Sequence, residues 1–155
     1  MILFDTDIVV LLQGGDTAAR RRTIARMRRA DGVQLRISVV AYEEQLRGWT
    51  AVLAAAGQDQ QRLIHAYGKL CSLHWAYRHE ALLPYDERAA AEFRRFRQSR
   101  VRIGTMDLRI ASIASAHAAK LVTRNLKDFR QVPGLIAEDW TSESDSNGFP
   151  PPPDQ

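Results

Sequence analysis

The chain opens on three apolar residues, Ile2 to Phe4, stopped at once by Asp5, and such brief apolar runs recur only at long intervals. Leu35 to Val40, rich in β-branched residues, is a second run, and Lys120 to Thr123, with Leu121 and Val122 inside it, is a third. Leu135 to Ala137, behind the turn pair Pro133-Gly134, reads as a fourth. Runs this short and this apolar suit strands covered on both faces. Long helical stretches separate them. One starts at Asp16, carries Ile24 and Met27 at helical spacing and closes at Asp31-Gly32; Val39 to Ala56 ends at Gly57; Gln60 runs to about Tyr77. Asp86 is expected to cap a helix reaching about Gln98, and Thr105 to cap another whose Leu108, Ala111, Ser112, Ser115 and Ala119 form a small-residue face. This alternation predicts an α/β fold with a mainly parallel sheet and helices on both sides.

The 155 residues leave room for one domain with one core. Hydrophobic residues at 45% and charged residues at 26% exclude wholesale disorder and rod-like repeats. No apolar run approaches the roughly 20 residues that cross a bilayer, so no membrane span is expected. Cys71 stands alone, which removes internal disulfides and zinc sites built on several thiolates and suits a reducing cytoplasm. The first basic residue is Arg20, so the start does not read as a secretory leader. After Trp140 the composition turns to Ser, Asp, Asn and Pro, and residues 141–155 read as a flexible tail behind a domain spanning 1–140.

The net charge of +4 comes almost entirely from arginine, since Lys69, Lys120 and Lys127 are the only lysines. One cluster lies between Arg20 and Arg36 and a second between Arg88 and Arg109. Arginine suits bidentate contact with phosphate. A charge run alone fits a solvated face or an acidic protein partner equally well.

In a parallel sheet, ligands bind at the carboxyl ends of the strands. Asp5 ends the first strand, Glu43 and Glu44 follow the second, Asp107 opens the helix at Thr105, and Asn125 and Asp128 follow the third strand. Acids gathered at one edge repel one another unless a cation joins them, and a hard divalent ion such as Mg²⁺ or Mn²⁺ takes such oxygen ligands. The chemistry this points to is hydrolysis of a phosphodiester. Each acid also has a plainer reading: Asp107 complements a helix dipole and Asp7 caps a helix from Ile8. Asp5 resists that reading, because an acid closing a buried run has to be paired, liganded or set in a cleft. His65, His74, His79 and His117 share no ligand spacing, and no glycine-rich phosphate loop or Gly-x-Ser-x-Gly turn is present.

With these acids aligned, residues 1–140 resemble the PIN-domain family, and within it the toxin ribonucleases of the VapBC type II toxin-antitoxin systems. The opening Ile-Leu-Phe-Asp-Thr-Asp is similar to the family's first block, with Asp5 as first acid and Thr6 as adjacent hydroxyl. Ile37-Ser38-Val39-Val40 through Gly48 resembles the second block, whose spacing selects Glu44 over Glu43. Ile103-Gly104-Thr105-Met106-Asp107 is similar to the third, and Leu121-Val122-Thr123-Arg124-Asn125 through Asp128-Phe129 to the closing block. The resemblance implies a three-layer α/β/α domain and a Mg²⁺- or Mn²⁺-dependent endoribonuclease held by Asp5, Glu44, Asp107 and Asn125. Asp128 is a further candidate ligand, and Thr6, Thr105 and Thr123 are supporting hydroxyls. It also implies RNA as substrate, homodimerisation and a cognate antitoxin partner in the cytoplasm. The fourth acidic position of the family falls here on an amide, Asn125. Two alternatives remain open: a PIN-like module that binds RNA or protein without cutting, and a haloacid-dehalogenase-like phosphatase with Asp5 as nucleophile, which the Asp5-Thr6-Asp7-Ile8-Val9 string also fits.

Overall fold

The computed structural model describes residues 1–77 and 82–143. The elements follow in the order β1 (Ile2–Phe4), α1 (Thr6–Gln13), α2 (Ala18–Arg29), β2 (Leu35–Ser38), α3 (Val39–Ala56), α4 (Gln60–Ala76), β3 (Leu82–Leu83), α5 (Glu87–Gln98), α6 (Thr105–Ala116), β4 (Lys120–Val122), α7 (Leu126–Phe129) and β5 (Ala137–Glu138). The five strands pair in the order β3-β2-β1-β4-β5, and every pair is parallel.

The period of two along β1 explains the layering. Leu3 points into one core with Leu121, Phe96, Leu108, Ile110, Ile113 and Phe129, the side covered by α5, α6 and α7. Ile2 and Phe4 point into the other with Val122, Ile8, Val9, Leu73 and Trp140, the side covered by α1 and α4. The result is a three-layer α/β/α sandwich with β1 at its centre. Trp140 closes its side edge-on to Phe4, with ring centroids 5.8 Å apart.

Several boundaries differ from the expectation for reasons local to the backbone. The second strand stops at Ser38 instead of Val40, because the Ser38 hydroxyl accepts from the Ala41 N–H and caps α3. α1 starts at Thr6 under an Asp5 cap, so Asp7 is not a cap, and Thr17, not Asp16, caps α2. Gly104, not Thr105, occupies the N-cap of α6. β5 lies at Ala137–Glu138, later than Leu135–Ala137, because its register is set by Leu121 and Val122. β3 and α7 are too short for periodicity to reveal. Of the expected tail, Thr141–Glu143 is described and lies against α2: Arg22 donates to the Thr141 carbonyl and pairs with Glu143. Residues 144–155, and His79 in the 78–81 segment, lie outside the described residues.

α5 and α6 form an antiparallel pair. Only residues 99–104 join them, and Asp86 at the start of α5 lies within electrostatic reach of His117 at the end of α6. Both helices end in the same reversal. Ala118 N–H bonds Ser115 and Ala119 N–H bonds Ala114; likewise Arg100 N–H bonds Arg97 and Val101 N–H bonds Phe96. Such a 5→2 and 6→1 pair needs a left-handed residue, normally glycine. Here the position falls on Ala118 (φ 49) and Arg100 (φ 58). Ala118→Gly is therefore expected to raise stability by roughly 0.5–1 kcal/mol, read as a higher urea midpoint at constant m value.

Candidate active site

The parallel arrangement sends the chain out of β1, β2 and β4 at one edge of the sheet. There Asp5, Thr6, Asp7, Glu44, Asp107 and Asn125 line an open cavity of about 420 Å³. Asp5 follows β1 directly, and its own N–H bonds the Val122 carbonyl of β4, so its position is locked to the sheet. The residue is only 5% exposed. One carboxylate oxygen accepts from the Thr6 N–H at 2.8 Å and the other from the Thr123 hydroxyl at 2.6 Å. Thr123 in turn accepts the Asn125 N–H at 3.0 Å, which sets the turn after β4 and carries Asn125 into the cavity.

Glu44 reaches the cavity from the second turn of α3, where the Thr6 hydroxyl donates to it at 2.5 Å. Glu43 does not: one residue of helix rotates a side chain by about 100°, and Glu43 pairs with Arg47 on the exposed face. Asp107 enters from the first turn of α6, with an oxygen so close to Gly104 that a Cβ there would stand 3.4 Å away. The Asn125 amide donates to Asp128 at 2.9 Å and lies 3.5 Å from Asp107. Asp128 thus holds Asn125 instead of lining the cavity, and Thr105 does not line it either.

Asp7 is the cavity residue that sequence reasoning assigned to capping. One of its oxygens accepts from the Arg124 N–H at 3.0 Å, and the other is buried with no hydrogen-bond partner among the described residues. The signal was present in the sequence: Asp5 and Asp7 are separated by one residue at a strand-to-helix junction, where both face the same edge.

The electrostatics follow from burial and like charge. Burial, above all, pushes the Asp5 carboxyl from its ordinary 3.8 to about 7; Asp7 and Asp107 push it further, while the bonds from Thr123 and Thr6 pull it back. Burial also raises Asp7, against the pull of the Arg124 N–H and side chain. Asp107 is raised by burial and then by Asp128, Glu44 and Asp7. Yet no three acid, histidine or cysteine side chains among the described residues are grouped closely enough to hold one ion between them. The site is a ring of oxygens around open space.

The domain is a three-layer α/β/α sandwich of PIN-like fold, with an all-parallel central sheet and an acid-lined cavity at its carboxyl edge. Comparison with known proteins gives the same fold. The chain matches VapBC2 of Rickettsia felis, solved bound to a DNA fragment from its promoter, with a TM-score of 0.64 and 23% identity over 90% of this chain and 99% of that one. It matches VapBC-1 of nontypeable Haemophilus influenzae with a TM-score of 0.65 and 23% identity, covering 92% of this chain and 100% of the other. In sequence it is 55% identical to Ribonuclease VapC2 of Rickettsia felis over 38 residues, 24% of this chain and 28% of that relative's length. No protein-family model matches the chain.

The raised Asp5 has a consequence for stability. The folded protein keeps the Asp5 proton up to about pH 7, whereas the unfolded chain releases it near 3.8. Stability from this group is therefore fully present below 3.8 and lost as pH rises through 7, by up to roughly 4 kcal/mol. In EDTA, Asp5→Asn is expected to unfold at higher urea than wild type at pH 8, with the gap closing towards pH 4. Equal midpoints at both pH values would contradict the burial argument.

Proposed function

We propose that the protein is a metal-dependent endoribonuclease and acts as the toxin of a type II toxin-antitoxin pair. The observation that carries this reading is the convergence of Asp5, Asp7, Glu44 and Asp107, from three separate stretches of chain, on one cavity. A solvated surface gains nothing from packing like charges and burying one of them, Asp5; a cation site does. The donor set also fits Mg²⁺ or Mn²⁺. It is all hard oxygen, and one buried oxygen of Asp7 lacks any partner among the described residues. The absence of a tight three-acid group is compatible with Mg²⁺, which takes one or two carboxylates directly and reaches others through water.

In this reading Asp5, Glu44 and Asp107 hold the ion, with Asn125 offering a neutral amide beside them. When bound, the metal supplies an activated water and neutralises the phosphate oxygens. The protein's own task is to hold its donors still. Thr123 and the Thr6 N–H orient the two oxygens of Asp5, the Thr6 hydroxyl orients Glu44, and Asp128 anchors Asn125. The substrate is RNA, and the acidic cavity is where an antitoxin would block it. The name of the sequence relative, a VapC ribonuclease, and the VapBC complexes of like fold support the toxin assignment.

A phosphatase with Asp5 as nucleophile fits less well, since Asp5 is buried and tethered through both oxygens. A binding module without cleavage is favoured by one observation, the amide at Asn125 among the acids.

Purified wild-type protein is expected to cleave total RNA in Mg²⁺ or Mn²⁺ and to stop in EDTA. Asp107→Asn should lower the rate by at least about 100-fold while retaining the wild-type circular dichroism spectrum. Undiminished cleavage by Asp107→Asn would remove the site assignment, and RNA binding without any cleavage would favour the binding module.

A further inference from the structure

An acid-lined cavity repels the polyanion it has to receive, so cations at its rim must supply the attraction. The two arginine clusters differ in this respect. In α2, Arg21 pairs with Asp16, Arg22 binds Thr141 and Glu143, and Arg26 binds the Asp139 carbonyl. The exposed Arg28 and Arg29 end α2 just ahead of β2, at the sheet edge opposite the cavity. That cluster ties down the chain end and complements the dipole of α2.

The second cluster is employed only in part. Phe93 to Met106 contains five arginines and no acid. Arg95 pairs with Glu92, and Arg95 and Arg97 complement the last turn of α5. Arg100 and Arg102 lie beyond the helix, both exposed, with no acidic partner among the described residues. Their position is poor for stability: Arg100 occupies a left-handed residue, and both precede the positive end of α6. It is good for an anion. The antiparallel pairing brings the end of α5 beside the first turn of α6, where Asp107 lines the cavity. Arg102 lies two residues before Gly104, hence within roughly 7 Å of it along the backbone, and Gly104 abuts the Asp107 carboxylate.

We infer that the α5–α6 connection, through Arg100 and Arg102, is the phosphate-binding track that leads the RNA strand into the cavity. The α2 cluster takes no part. The track contacts backbone phosphates flanking the cleaved bond, so it reads charge and spacing without reading base identity. This inference rests on the ribonuclease reading above.

The test compares two full-length double variants of equal charge loss: Arg100→Gly/Arg102→Gln, in which the glycine suits the left-handed position, and Arg28→Gln/Arg29→Gln as control. Binding of a 5′-labelled 12-nucleotide single-stranded RNA is followed by fluorescence polarisation in EDTA across a NaCl series. The first variant is expected to bind about tenfold more weakly than wild type, and its log K against log salt slope to fall by about 1.4, two contacts at roughly 0.7 each. The control should match wild type in both. Two results overturn the track: wild-type affinity and slope in the first variant, or equal weakening in both variants. If either occurs while wild-type protein cleaves RNA in Mg²⁺, the ribonuclease reading stands and only the track is lost. Wild-type protein that neither binds nor cleaves RNA removes both.

Discussion

The buried carboxylate of Asp5 is the constraint around which the site is organised. It follows the central strand, so its backbone is fixed by β4 and its side chain is almost wholly buried at the floor of the cavity. A carboxylate so placed must be hydrogen-bonded or neutralised. The structure bonds it twice, to Thr6 of α1 and to Thr123 just after β4, and Thr123 then positions Asn125. One buried acid thereby ties two elements adjacent in space and far apart in sequence to a common edge.

Parallel pairing makes that edge acidic. In an antiparallel sheet, successive strand ends alternate between edges; here β1, β2 and β4 all release the chain on the same side. The residues just beyond them are those free of strand hydrogen bonding and able to present side chains to a ligand. The energetic result is a fold that carries unfavourable charge at its mouth, visible in the raised carboxyls of Asp5, Asp7 and Asp107. Such local cost is tolerated where a ligand offsets it. The arginines lie outside this centre: Arg22 and Arg26 of α2 bind residues 139–143, whereas Arg100 and Arg102 sit in the connection that leads to Gly104 and Asp107.

Much of the architecture was legible in the sequence because its signals are local. Helix periodicity and caps marked α3, α4 and α5 almost to the residue: Gly57 after α3, Asp86 before α5. β1 and β4 stood out as apolar runs among helices. Elements too short to carry a period were not legible. β3 is two residues whose strand character comes only from pairing with Ile37 and Ser38, and α7 is a single turn. The cap of α6 was misread because Thr105 has the right side chain, while the backbone puts Gly104 at the cap and leaves room for Asp107. Asp7 was misread for a related reason: one residue cannot cap a helix that its neighbour already caps.

Sequence alone determined the composition of the site: which strands end in acids, which helices begin with them, and that no thiol or histidine cluster competes. Those are properties of adjacent residues. Tertiary structure decided membership and geometry. It turned Glu44 inward and Glu43 outward, brought Asp7 in, and set Asp128 behind Asn125. The reason is physical: local sequence sets backbone direction and helical phase, but only packing against the sheet determines which side of each helix meets the others.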